Sequence, residues 1–133
     1  MFVDASALVA VLTGEPEGES LAGRLDAAVD SFTSPLAVYE TALAIRRKLD
    51  RPLPVIQSDI ARFLRMSGTR LVPIPHDAGV RALAVFERYG RGTGHPAQLN
   101  MGDCLAYAMA EIHGVPLLFK GDAFAMTEIG ARG

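Results

Sequence analysis

The chain contains no tryptophan, a single cysteine and three histidines among its 133 residues. The lone Cys104 excludes an intramolecular disulfide and fits a reducing compartment, so stability has to come from packing. None of His76, His95 and His113 has zinc spacing with another ligand, and no histidine is placed as an obvious catalytic base. His113, at a helix end before Gly114, reads as a favourable charge at that terminus. No uninterrupted apolar stretch approaches the roughly 18 residues of a membrane span. The opening Met1-Phe2-Val3-Asp4 lacks the basic segment and apolar run of a secretory signal, so the expectation is a soluble, cytoplasmic protein without membrane contact. An excess of positive charge is missing too. The net charge of −2 argues against a domain that coats nucleic acid by electrostatics alone, but is compatible with an enzyme that gathers acids around a cation.

What the sequence does have is apolar content, half of all residues, at a length typical of one domain with one core. A single domain over 1–133 is expected, without repeats or low-complexity segments. Met1 to Val3 reads as a short strand that stops at Asp4, and Ser6 to Leu12 as a buried helix. After the breakers Gly14, Pro16 and Gly18, Glu19 to Val29 resumes helical spacing. Residues 30–33 form a brief strand. Ser34-Pro35 is a helix start, with serine as cap and proline at the first helical position, and predicts a helix to about Leu49. Pro52 and Pro54 separate it from a helix over Val55 to Met66. Arg70 to Ile74 reads as a strand, Asp77 as the start of a helix, and Gly90, Gly92, Gly94 and Pro96 as a loop. A helix begins around Asn100-Met101-Gly102-Asp103 and ends at His113-Gly114. Val115 to Phe119 is a last strand, followed by a short tail carrying Phe124 and Ile129.

Strands alternating with helices predict an α/β fold with a parallel sheet of four to five strands flanked by helices on both faces. Ligands of such sheets bind outside the carboxyl ends of the strands. Asp4 follows the first strand and Asp122 the last, so both belong to that edge, as ligands or as turn and cap residues. Asp103 lies in the first turn of its helix, where an acid also complements the helix dipole beside a cap at Asn100. Glu40 is harder to explain structurally. Its neighbours three and four positions away are Leu36, Ala37, Leu43 and Ala44, all apolar, so its carboxylate points into the packed face. A buried carboxylate is costly unless it meets an ion partner, a metal or a proton. Acids from separate elements suit a hard divalent cation such as Mg²⁺, and such a cation needs no catalytic histidine beside it. Cys104 has no adjacent base and reads as a buried residue.

Four segments in order carry a resemblance: Val3-Asp4-Ala5-Ser6-Ala7-Leu8, Glu40 in the helix after Ser34-Pro35, Leu99-Asn100-Met101-Gly102-Asp103-Cys104-Leu105-Ala106-Tyr107-Ala108, and Leu117-Leu118-Phe119-Lys120-Gly121-Asp122-Ala123-Phe124. Together they resemble PIN-domain ribonucleases, more narrowly the VapC toxins of bacterial toxin–antitoxin pairs, over essentially the whole chain. The resemblance implies a Mg²⁺ or Mn²⁺ site, endonucleolytic cleavage of RNA, a cognate VapB-type antitoxin and a homodimer. Carried over by position, Asp4 and Asp103 are principal metal ligands, Glu40 is a third acid bound directly or through water, Ser6 orients Asp4 or a water, and Asp122 completes the group. The family often places an acid directly before the phenylalanine, where this chain has Ala123. If that acid is the functional one, the mechanism rests on Asp4, Glu40 and Asp103.

Two basic clusters, Arg46, Arg47, Lys48 and Arg51, and Arg88 with Arg91, are either solvated helix faces or phosphate contacts. A phosphoacceptor receiver domain is a competing reading, with Asp4, Asp77 and Lys120 as its residues, but receivers pair two acids after the first strand and here Ala5 follows Asp4. A catalytically inert PIN-like binding module is the other alternative.

Overall fold

A computed structural model describes residues 1–131; Arg132 and Gly133, the end of the expected domain, lie outside the described residues. The elements alternate as expected: β1 (Phe2–Val3), α1 (Ala5–Leu12), α2 (Gly18–Ala27), β2 (Phe32–Thr33), α3 (Pro35–Leu49), α4 (Leu53–Ser67), β3 (Arg70–Leu71), α5 (His76–Tyr89), α6 (Met101–His113) and β4 (Leu117–Leu118). A 3₁₀ turn over Phe124–Met126 and a short α7 (Glu128–Ala131) close the described chain. The four strands form one parallel sheet in the order β3-β2-β1-β4.

Each strand is only two residues long, shorter than the sequence predicts at 30–33, Arg70–Ile74 and Val115–Phe119. Pro73, Pro75 and Pro116 carry no N–H to extend a ladder, which accounts for the early ends of β3 and the late start of β4. The short strands nevertheless feed two layers, because successive side chains point to opposite faces. Phe2, Phe32 and Leu117 join α5 and α6 in one core cluster. Val3 and Leu118 join α1 and α2 in another. A third, smaller cluster packs Ile45 of α3 against Ile56 and Ile60 of α4. Phe2 and Leu117 are fully buried, and side chains of this size contribute roughly 1.5–3 kcal/mol each by leaving water.

Helix boundaries follow local chemistry. Ser34 Oγ accepts the Ala37 N–H at 3.1 Å to cap α3, with Pro35 in the first turn. Helix α4 starts at Leu53, before Pro54 rather than after it, since the N–H that proline lacks would be unpaired in a first turn anyway. Helix α5 likewise begins one residue ahead of Asp77, with Pro75 as its cap. Among the described residues no helix is long and apolar enough to cross a membrane.

The strand order locates the site. From β1 the chain steps to β2 and β3 on one side and returns to β4 on the other, so the topological switch point lies at the carboxyl end of β1. Asp4 is the next residue.

Candidate active site

Asp4 caps α1. Its Oδ2 accepts the Ser6 backbone N–H at 3.0 Å and the Ser6 hydroxyl at 2.6 Å. The same Ser6 Oγ accepts the Lys120 backbone N–H at 3.0 Å, so one hydroxyl ties the end of β1 to the segment after β4. Asp103 comes from the first turn of α6 and takes part in a reciprocal capping box. Its N–H donates to Asn100 Oδ1 at 2.9 Å, and its Oδ2 accepts the Asn100 N–H at 3.0 Å. Glu40 arrives from the middle of α3, half-buried, its carboxylate lying against the backbone of α6 at Gly102. Three elements distant in sequence thus deliver three acids to one cavity of about 350 Å³, walled also by Ala5, Ser6, Val9, Glu15, Ala44, Arg47 and Lys120.

The electrostatics of these acids are linked. Burial pushes the Asp4 carboxyl up to about 6 against the opposing pull of the Ser6 hydrogen bonds, and the Asp103 charge adds to the rise. Glu40 is pushed up to about 7, first by burial and then by the negative charges of Asp4 and Asp103. Burial raises Asp103 as well, offset by the Asn100 N–H and the positive charge of Arg91. Three carboxyl groups that hold protons more tightly than usual, partly because of one another, form a site that gains from positive charge.

The PIN domain family matches residues 1–129. The chain belongs to this family. Curated relatives of this PIN domain include "Ribonuclease VapC" of Mycolicibacterium smegmatis, 38% identical over 98% of both chains, and a "VapC ribonuclease" of Rhizobium meliloti, 39% identical over 97% of this chain and 99% of the relative. Among solved structures, Mycobacterium tuberculosis VapC20, described as a sarcin-ricin loop cleaving toxin, superposes with a TM-score of 0.70 at 18% identity, covering 99% of this chain and 94% of that one. A toxin–antitoxin complex from Klebsiella pneumoniae gives 0.67 at 18% identity, covering 96% and 92%. These two likenesses share the fold.

Within this PIN domain, Asp4, Glu40, Asp103 and Ser6 line one cavity. Asp122 does not join its wall: it is exposed in the bend after β4, two residues beyond Lys120, which does. Asp77, required by the receiver reading, is exposed in the first turn of α5 and lies off the cavity. The histidines lie elsewhere: His113 packs edge-on against Phe32, and His95 Nδ1 accepts the Ala97 N–H. Burial, with the Asp103 charge, pushes the Cys104 thiol up to about 11, the opposite of what a nucleophile needs.

Glu15, between the breakers Gly14 and Pro16, is a cavity residue that the sequence does not single out. Its carboxylate is held at 2.7 Å by Lys48 and at 2.8 Å by Lys120, fastening the α1–α2 turn to α3 and to the segment after β4. The basic cluster at and just beyond the end of α3 is therefore divided. Lys48 pairs with Glu15 and Arg51 lies 3.8 Å from Asp59, while Arg47 reaches the acid-lined cavity. Helical spacing alone contained that division, since Arg47 lies seven residues, about two turns, beyond Glu40.

Proposed function

We propose that this protein is a divalent-metal-dependent endoribonuclease that acts as the toxin of a toxin–antitoxin pair in the cytoplasm. The observation that carries the reading is the convergence of Asp4, Glu40 and Asp103 on one cavity at the switch point of the sheet. The substrate class is supported by relatives at 38 and 39% identity whose names are those of ribonucleases.

The donor set fits a hard cation. Every candidate ligand is a carboxylate oxygen, and repulsion among them would be relieved by bound Mg²⁺ or Mn²⁺. Among the described residues no three acids, histidines or cysteines cluster tightly enough to hold an ion alone. Mg²⁺ keeps several waters and takes one or two carboxylates directly, so the reading does not need all three acids to touch one ion. When bound, such a cation supplies Lewis-acid chemistry, polarising a phosphoryl oxygen, acidifying water and neutralising the leaving oxyanion.

The residues divide that work. Asp4 and Asp103 are the principal ligands, and Glu40 is the third acid, direct or through water. Ser6 fixes the rotamer of Asp4 by its hydroxyl, while its bond from Lys120 N–H fixes the hydroxyl itself. Asp122, outside the cavity wall, takes a lesser part. Arg47 holds a phosphate flanking the scissile bond, because it brings a positive charge to the cavity that no ion pair among the described residues occupies. Removing one phosphate contact lowers the slope of log affinity against log salt by about 1, so Arg47→Ala is expected to weaken RNA binding and flatten that slope.

The partner in this reading is a VapB-type antitoxin, and the protein forms a homodimer. The apolar groove between α3 and α4, lined by Pro35, Val38, Tyr39, Leu43, Leu53 and Ile60 with a volume of about 290 Å³, would seat an antitoxin segment on the helix that carries Glu40. Light scattering of the purified protein checks the dimer. The activity is tested by incubating antitoxin-free protein with a mixed cellular RNA pool in Mg²⁺, in Mn²⁺ and in EDTA, with Asp103→Asn in parallel. Cutting that needs the metal and is lost in the variant is expected. Folded protein that cuts nothing under any condition would instead be an inert binding module.

A further inference from the structure

Glycine at position 102 is not required by the backbone, since it stands inside α6 in ordinary helical conformation and alanine is the better helix former. Its reason lies across the interface with α3. A methyl group at Gly102 would fall onto Glu40 Oε2 and within 2.6 Å of Cδ and 2.7 Å of Oε1. Carbon and oxygen in van der Waals contact stand well over 3 Å apart, so the methyl and the carboxylate cannot share the space. Gly102 itself is buried between Met101 and Asp103, and Asp103 lines the cavity.

We propose that Gly102 is a positioning residue of the site: by lacking a side chain it provides the berth that brings the Glu40 carboxylate against α6 and beside Asp103. This rests on the metal-nuclease reading for its functional consequence, but not for its geometry. The obstructed group is the far end of a flexible side chain, so a methyl group here displaces Glu40 rather than breaking the fold. The consequence for the chemistry follows from the roles already assigned. With Glu40 turned away, Asp4 and Asp103 keep their hydrogen bonds from Ser6 and Asn100 and the site loses its third acid.

The test compares wild type, Gly102→Ala, Glu40→Ala and the double variant. In a crystal structure of metal-free Gly102→Ala, the Glu40 carboxylate is expected to have left its place while α6 keeps its position. Thermal melting of that variant should be unchanged or higher. Mn²⁺ affinity, by calorimetry, and RNA cleavage should each fall about as far as in Glu40→Ala, by tenfold or more. The double variant should lose nothing further, because once Glu40 is gone the berth has no occupant. A Glu40 carboxylate found in place, or a double variant clearly worse than Glu40→Ala, would overturn the proposal. A wild type that neither binds Mn²⁺ nor cuts RNA would count against the nuclease reading alone, and the crystal structure would still decide the berth.

Discussion

Asp4 shows how a side chain that caps a helix can also be offered, in the proposed site, to a cation. It caps α1 through Ser6, and asparagine caps as well as aspartate, so Asp4→Asn should fold normally while removing a ligand charge. Asp103 behaves alike within its capping box. The structural reading of these acids holds, and it leaves the proposed metal-binding role open to both, since capping uses only part of each carboxylate. Glu40 differs, because nothing among the described residues gives its carboxylate a cationic partner and its neighbours are acids. Glu40→Gln should therefore stabilise the metal-free protein above neutral pH. About 1 kcal/mol is reasonable once the half-exposed carboxylate is discounted for solvent screening, equivalent to roughly 3 °C in melting temperature. A clear loss of metal-free stability would reveal an ion pair instead.

At the scale of elements, the frame around Asp103 separates stability from chemistry. Asn100→Ala removes the side chain that accepts the Asp103 N–H, a loss of about 1 kcal/mol for a helix cap. The backbone N–H of residue 100 still donates to Asp103 Oδ2, so cleavage should remain within about tenfold of normal, whereas Asp103→Asn should abolish it. Urea melts and rate measurements on the two variants check this contrast. Elements were legible wherever the signal was local. Ser34-Pro35 placed the start of α3, and Asn100 and Gly114 bracketed α6. The strands were overestimated because where a ladder ends depends on its partner, and the sequence does not show which residue faces Pro73 or Pro116. The places of candidate site residues were legible where position on an element sufficed, as for Asp4 at a strand end or Glu40 on an apolar helix face. Contacts between distant segments were not, and so the clamp of Lys48 and Lys120 on Glu15, the place of Asp122 off the wall and the berth at Gly102 emerged only from the fold.

For the whole molecule, the raised carboxyls make stability depend on pH in a definite sense. A native carboxyl that titrates above its unfolded value binds more protons folded than unfolded, so its contribution is fully present below the unfolded value and is lost as pH rises through the native one. With Asp4 at about 6 and Glu40 at about 7, the metal-free protein should lose stability between about pH 4 and pH 7, on the order of 1–3 kcal/mol from this site. Saturating Mn²⁺ should remove most of that slope, because a bound cation favours the charged acids.

Calorimetric titration of Mn²⁺ into metal-free wild type and Asp4→Asn at pH 6.5, in two buffers of different ionisation enthalpy, tests the shared site most directly. Carboxyls that are partly protonated at this pH must release protons as the cation binds. Wild type should bind with proton release, and Asp4→Asn should bind at least tenfold more weakly and release fewer protons. Equal affinity and equal proton release in the two proteins would contradict a metal site built on Asp4, Glu40 and Asp103.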